Sequence, residues 1–215
     1  MDKLLEKLGV YEIFTYIFSG IVFYFCTLAL LFLMTYVNSL QIKEWINYLN
    51  NWYALPLLYF GGLILHEMGE IYERIIFRKG MPSERLIQDK KYEKMKVLVL
   101  EKLKEKTNSV FMFEDKNQSK VAFGIIYSTV QDTTANEMIQ KMNQQYGLFR
   151  TLSLGFIFQI LMFCIFFIHR FTQNNCTFIY LVFFISIIIL ALITTRRMIR
   201  FGYRFSDYCY RAYVK

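Results

Sequence analysis

The 215 residues carry 25 lysines and arginines against 17 aspartates and glutamates, a formal net charge of +8, and 55% of them are hydrophobic. That hydrophobic share argues against a soluble protein, and four cysteines in four different settings, with no C-x-x-C, give no disulfide framework. The apolar residues gather in four blocks with the charges between them. This predicts an all-α, polytopic membrane protein with four transmembrane helices and a helical cytoplasmic domain between spans two and three.

The first block, Ile13–Val37, is 25 residues long and has no small-residue cleavage site after it. It reads as a retained anchor, since a signal h-region is only about 7–15 residues. The second block begins at Trp52 and includes Pro56 and Gly61–Gly62. It reaches the roughly 20 residues a span needs only near Ile71. His66, Glu67 and Glu70 therefore fall in its inner third or at the inner interface, with Glu73 just beyond. Ser19–Gly20 and Gly61–Gly62 permit close helix approach.

Gly80–Met81–Pro82–Ser83 breaks the chain, and Ser83 is the expected N-cap of a helix from Glu84 to Lys106. Thr107–Asn108–Ser109 interrupts it. Val110–Phe113 is a short apolar patch for docking on the helices or on a partner. A second helix is expected from about Asn117 to about Gln145, joining the third span through Tyr146–Arg150. Leu152–Ile168 and Thr177–Thr194 form a second hairpin, joined by His169–Cys176. In the tail, Met198, Phe201, Phe205, Tyr208 and Ala212 share one helical face. Arg197, Arg200, Arg204 and Arg211 share another. Such a helix reads as lying on anionic lipid or packing within the molecule. Arginines among aromatics can also hold single-stranded nucleic acid, the less favoured partner. The expected domains are residues 1–79 (first hairpin), 80–148 (cytoplasmic domain), 149–195 (second hairpin) and 196–215 (basic tail).

Direction follows from the basic residues. With the first end inside, 23 of 25 lysines and arginines lie on one side, and only Lys43 and Arg170 lie on the other. This positive-inside bias predicts an inner-membrane protein with both termini cytoplasmic. It also accounts for the net charge without nucleic acid. Tyr36, Trp52 and Tyr53 suit the outer boundary.

His66, Glu70 and Glu73 recur at i, i+4 and i+7 and share a helical face. The run His66–Glu67–Met68–Gly69–Glu70 echoes the H-E-x-x-H zinc motif, but Glu70 replaces the second histidine. His169 belongs at the opposite membrane face. The expectation is no metal, no cofactor and no catalytic residue, with the acids paired to Arg74, Arg78 or a neighbouring helix. Ionisable groups at membrane depth still mark functional sites. His66, Glu67, Glu70 and Glu73, with Gln159 in mid-span, are therefore the candidate intramembrane polar site. An amide such as Gln159 is expected to hydrogen-bond a neighbouring helix, at about 1 kcal/mol. An ion channel or transporter built on His66, Glu67 and Glu70 is the alternative function.

Pro82–Ser83–x–x–Leu86, Tyr127 and Tyr146–Gly147–Leu148–Phe149–Arg150–x–Leu152 resemble a group of small bacterial four-span proteins. In those, P-S/T-x-x-L-L and Y-G-F-x-R-N-L recur; here Ile87 and Thr151 depart from the pattern. The architecture resembles membrane accessories of antiphage loci, namely the type VI-B CRISPR accessory and the membrane subunit of the Kiwa system. The resemblance implies a non-enzymatic, homo-oligomeric accessory in antiviral defence. It would bind a cytosolic protein partner, with Tyr146 and Arg150 as coupling residues, and no small-molecule substrate.

Overall fold

The computed structural model describes residues 10–33, 47, 54–131, 133, 135–171 and 178–215. Among them the chain is all-α, with no strand. The helices are α1 (Val10–Leu33), α2 (Ala54–Ile76), α3 (Pro82–Gln88), α4 (Glu93–Thr107), α5 (Lys116–Gln131), α6 (Asn136–Phe171) and α7 (Phe178–Val214). A 3-10 turn, Lys90–Tyr92, lies between α3 and α4. On length and apolar content α6 and α7 suffice to cross a membrane, and Thr15–Ala29 in α1 is a shorter apolar stretch. Two helices, against the four expected, pass that test among the described residues. Tyr36, Trp52, Tyr53 and Lys43 lie outside them.

The chain forms two compact units, 1–72 with 147–196, and 73–146 with 197–215. These differ from the expected domains, because α6 and α7 are unbroken. α6 passes from the second unit into the first after Tyr146, and α7 returns to the second after Arg196.

In the first unit, α1 and α2 meet backbone to backbone. A Cβ on Gly20 would collide with the Leu58 carbonyl, and one on Gly62 with the Tyr16 carbonyl. Only glycine allows so close an approach. Phe156, Ile187 and Ala191 pack with Val22, Cys26 and Leu152. Phe163 stacks on Phe184 at 4.6 Å.

The second unit has an apolar core of Leu86, Ile87, Val99, Leu103, Phe113, Ala122, Ile126, Val130, Ile139, Cys209, Tyr210 and Tyr213. The tail is thus not a separate surface segment: α7 runs through it, and its apolar face, apart from the exposed Tyr208, packs against the unit's own helices. Met198 is buried, Phe205 stands edge-on to Phe123 (5.9 Å) and Tyr127 (5.5 Å), and the Tyr210 hydroxyl donates to the Ser83 carbonyl at 3.1 Å. Burial pushes the Cys209 thiol up to about 12 and raises the Tyr210 hydroxyl. The Lys102 ammonium donates to the carbonyls of Tyr213 (3.1 Å) and Val214 (2.7 Å), which closes the end of α7.

Three local expectations are corrected. Met81, not Ser83, is the N-cap of α3: its N–H donates to the Glu84 carboxylate at 3.0 Å, and Pro82 opens the helix. The expected helix 84–106 breaks at Asp89. Asp89 is extended there, and its carboxylate accepts from the Lys91 N–H at 3.1 Å. The expected helix 117–145 breaks between Gln131 and Asn136, where the Thr133 hydroxyl and N–H both donate to the Val130 carbonyl, at 2.7 and 3.0 Å. The 110–113 patch divides: Phe113 is fully buried, while Val110 and Met112 are exposed.

Candidate functional site

Two of the expected site residues meet in the first unit. Arg150, on α6, donates from Nη2 to His66 Nε2, on α2, at 2.9 Å. A guanidinium has no acceptor, so Nε2 must offer a lone pair. The imidazole is then the neutral tautomer with its proton on Nδ1. That nitrogen lies 3.2 Å from Thr151 Oγ1 and donates to it. The Thr151 hydroxyl in turn donates to the Gly147 carbonyl at 3.0 Å. Tyr16 of α1 stands edge-on to the imidazole at 5.0 Å.

Glycines on both helices make room for this pair. A Cβ on Gly69 would lie 3.2 Å from the Arg150 Cγ, and one on Gly147 would lie 3.4 Å from the His66 Cε1. Each helix therefore supplies one polar side chain and, three residues away, one glycine for the other's. The sequence carries this in His66-x-x-Gly69 and Gly147-x-x-Arg150, but neither half identifies its partner 84 positions away. Sequence reasoning set Thr151 down only as a departure from a motif and missed its part in the network.

The other candidates are dispersed. Glu67 and Glu70 are exposed and outside the hydrogen bonds of the network, although the Glu70 carboxylate acts on the His66 imidazole through its charge, and Glu73 is buried but belongs to the second unit. Gln159 is fully buried in α6, and its amide donates to Thr27 Oγ1 of α1 at 2.7 Å, the cross-helix bond expected of it. Tyr146, buried in the second unit, shares a site with Pro82: a Cβ on Gly202 would lie 2.9 Å from the Tyr146 ring and 3.0 Å from Pro82. Two residues of the motifs 64 positions apart thus converge on one glycine. Arg150 and Tyr146, the expected coupling residues, are both buried. Arg197, Arg200, Arg204 and Arg211 are all exposed, and Arg211 is held at 2.9–3.0 Å by both oxygens of Asp207.

Among the described residues no three His, Cys, Asp or Glu side chains gather as metal ligands. What the His66 site offers chemically is a buried guanidinium held by a neutral imidazole. Protonating His66 Nε2 removes that acceptor and opposes two cations. Comparison with family models, curated proteins and solved structures finds no match.

Proposed function

We propose that this chain is a relay in the inner membrane of bacteria, serving an antiviral defence locus. Its first unit spans the lipid four times, both termini are cytoplasmic, and its second unit meets a cytosolic protein. The observation that carries the relay is the continuity of α6 and α7 through both units. A helix transmits displacement along its axis because its hydrogen bonds are internal.

Polarity supports lipid as the medium of the first unit. Ser19, Thr151, Ser153, Gln159 and Thr194 are buried, while all four helices turn large apolar residues outward. These include Phe18 of α1, Leu57 and Ile64 of α2, Leu161 and Ile165 of α6, and Leu192 of α7. A soluble monomer rarely exposes a contiguous apolar surface of this kind. The outward residues of α1 and α2 are the argument for spans one and two, and the one-sided lysines and arginines for the orientation. Self-association uses part of the same apolar face. The exposed arginines of α7 meet anionic headgroups.

Gly147→Pro tests the relay. It removes a helical hydrogen bond inside α6, at a cost of about 3 kcal/mol. The expected result is loss of phage protection in cells carrying the gene with its neighbours, while membrane fractionation still finds the protein inserted. Protection unchanged by this variant refutes the relay, and protection unchanged by deleting the gene refutes the defence role.

The channel or transporter is the second reading, favoured by the half-buried His66. Exposure of Glu67 and Glu70 weighs against it. Ion flux into liposomes that Glu70→Gln abolishes would reverse the order.

A further inference from the structure

Between the first half of α4 and the last turns of α7, the second unit carries an open groove of about 480 Å³. Met95, Leu98 and Val214 give it an apolar lining, and Lys91, Lys94 and Arg211 give it cations. Helical spacing brings these together: Lys91, Lys94, Met95 and Leu98 follow i, i+3, i+4 and i+7, and Arg211 and Val214 follow i and i+3. At one end the Tyr92 side chain hydrogen-bonds Asp207, whose carboxylate also holds Arg211. One turn past Leu98, the Lys102 ammonium is fixed on the carbonyls of Tyr213 and Val214.

The charges in the groove do not balance. Asp207 offsets Arg211. Lys91 and Lys94 are exposed and enter no ion pair among the described residues. Glu101 and Glu105 continue the same face of α4 but lie outside the groove's lining. The apolar part is also unfinished. Val99 and Leu103 of α4 are fully buried, whereas Leu98 is 47% exposed.

We infer that this groove docks an acidic segment of the cytosolic partner, an inference that rests on reading the second unit as the part that meets that protein. An apolar side chain of the segment seats on Met95, Leu98 and Val214, and its carboxylates meet Lys91 and Lys94. The excess positive charge selects an acidic occupant. An apolar centre with charge around it is the anatomy of a protein contact, and the pliable Met95 lets the seat adapt. Single-stranded nucleic acid would need free aromatic faces for its bases, but Tyr92, the one aromatic lining the groove, is held by Asp207. A surface of anionic headgroups would engage the lysines and leave the apolar lining unfilled.

Fluorescence anisotropy tests it, with the purified full chain in zwitterionic nanodiscs and empty discs as the baseline. The probe is a labelled peptide of about 15 residues, with leucines at i, i+3, i+4 and i+7 and glutamates elsewhere. The peptide is expected to bind, and its lysine-for-glutamate counterpart is not. Affinity is expected to fall at least about tenfold in the double variant Lys91→Glu/Lys94→Glu and, separately, in Leu98→Asp. Lys120→Glu, at an exposed lysine of α5 outside the groove, is expected to leave it unchanged. No binding, a loss in only one of the two groove variants or in neither, or an equal loss in Lys120→Glu overturns the proposal. So does displacement of the peptide by oligodeoxythymidine or short-chain phosphatidylglycerol as effective, charge for charge, as by unlabelled peptide. No phage enters this assay. Failed binding, with protection still lost on deleting the gene, strikes the groove alone. Binding as expected, with protection kept on deletion, strikes the defence reading alone.

Discussion

In the first unit Thr151, Ser153 and Gln159 are buried while Leu57, Ile64 and Leu192 face outward. In the second, Val99, Leu103, Phe113 and Ile126 are fully buried and Lys90, Lys94, Lys104 and Lys120 are exposed. Both are built from amphipathic helices of one chain, and two of those helices belong to both. Helical spacing therefore reveals only that two faces differ. Which face turns inward depends on the surroundings, and on the proposed function these are lipid for the first unit and water for the second.

The largest expected effect separates the units by deletion. Ile126→Ala, in the core of the second unit, is expected to cost about 2–5 kcal/mol. Leu192→Ala removes as large an apolar group from a side chain that is 65% exposed in the first unit. It is expected to leave the detergent-solubilised midpoint nearly unchanged. Comparable losses from the two would erase the contrast, and chemical denaturation read by circular dichroism decides it.

Adding charge sharpens the comparison from the other side. Ile189→Lys and Val121→Lys both alter half-exposed apolar positions, at 49% and 56%. In lipid the first is expected to cost about 2.5–3.5 kcal/mol of insertion. In water the second is expected to change stability by less than about 0.5 kcal/mol. A glycosylation-mapping insertion assay on α7 reads the first, and thermal unfolding reads the second.

The smallest effect is a pH dependence confined to the second unit. Its Cys209 thiol is held up to about 12, against an ordinary 9.0. Below pH 9 the thiol is neutral folded and unfolded alike, and its contribution to stability is complete. Between about 9 and 12 the unfolded thiol ionises while the buried one does not, so stability falls as pH rises. The slope is at most about 1.4 kcal/mol per pH unit. Cys209→Ala is expected to reduce the slope without abolishing it, because the buried Tyr210 hydroxyl is raised as well.

Much of this was legible in the residues themselves. The apolar blocks locate α1, α2 and the apolar stretches of α6 and α7, and the cross-helix bond of Gln159 follows from an amide within such a stretch. The breaks at Asp89 and Thr133 were not legible, because each rests on one side chain bonding its own backbone in place of the helix ladder. The fate of the tail was hidden for a different reason: an aromatic stripe beside arginines suits lipid and a protein core equally. At the His66 site the spacing picked out the histidine but grouped it with Glu70 and Glu73. Arg150, far along the chain, is the partner that packing supplies.

The contacts of Gly20 with Leu58 and of Gly62 with Tyr16 form a reciprocal pair, one helical turn apart on each strand of an antiparallel seam. A single notch would let the helices pivot. Two notches forbid both sliding and rolling, because any displacement drives a neighbouring Cβ into main chain. The alignment of this hairpin is then keyed by its own surface.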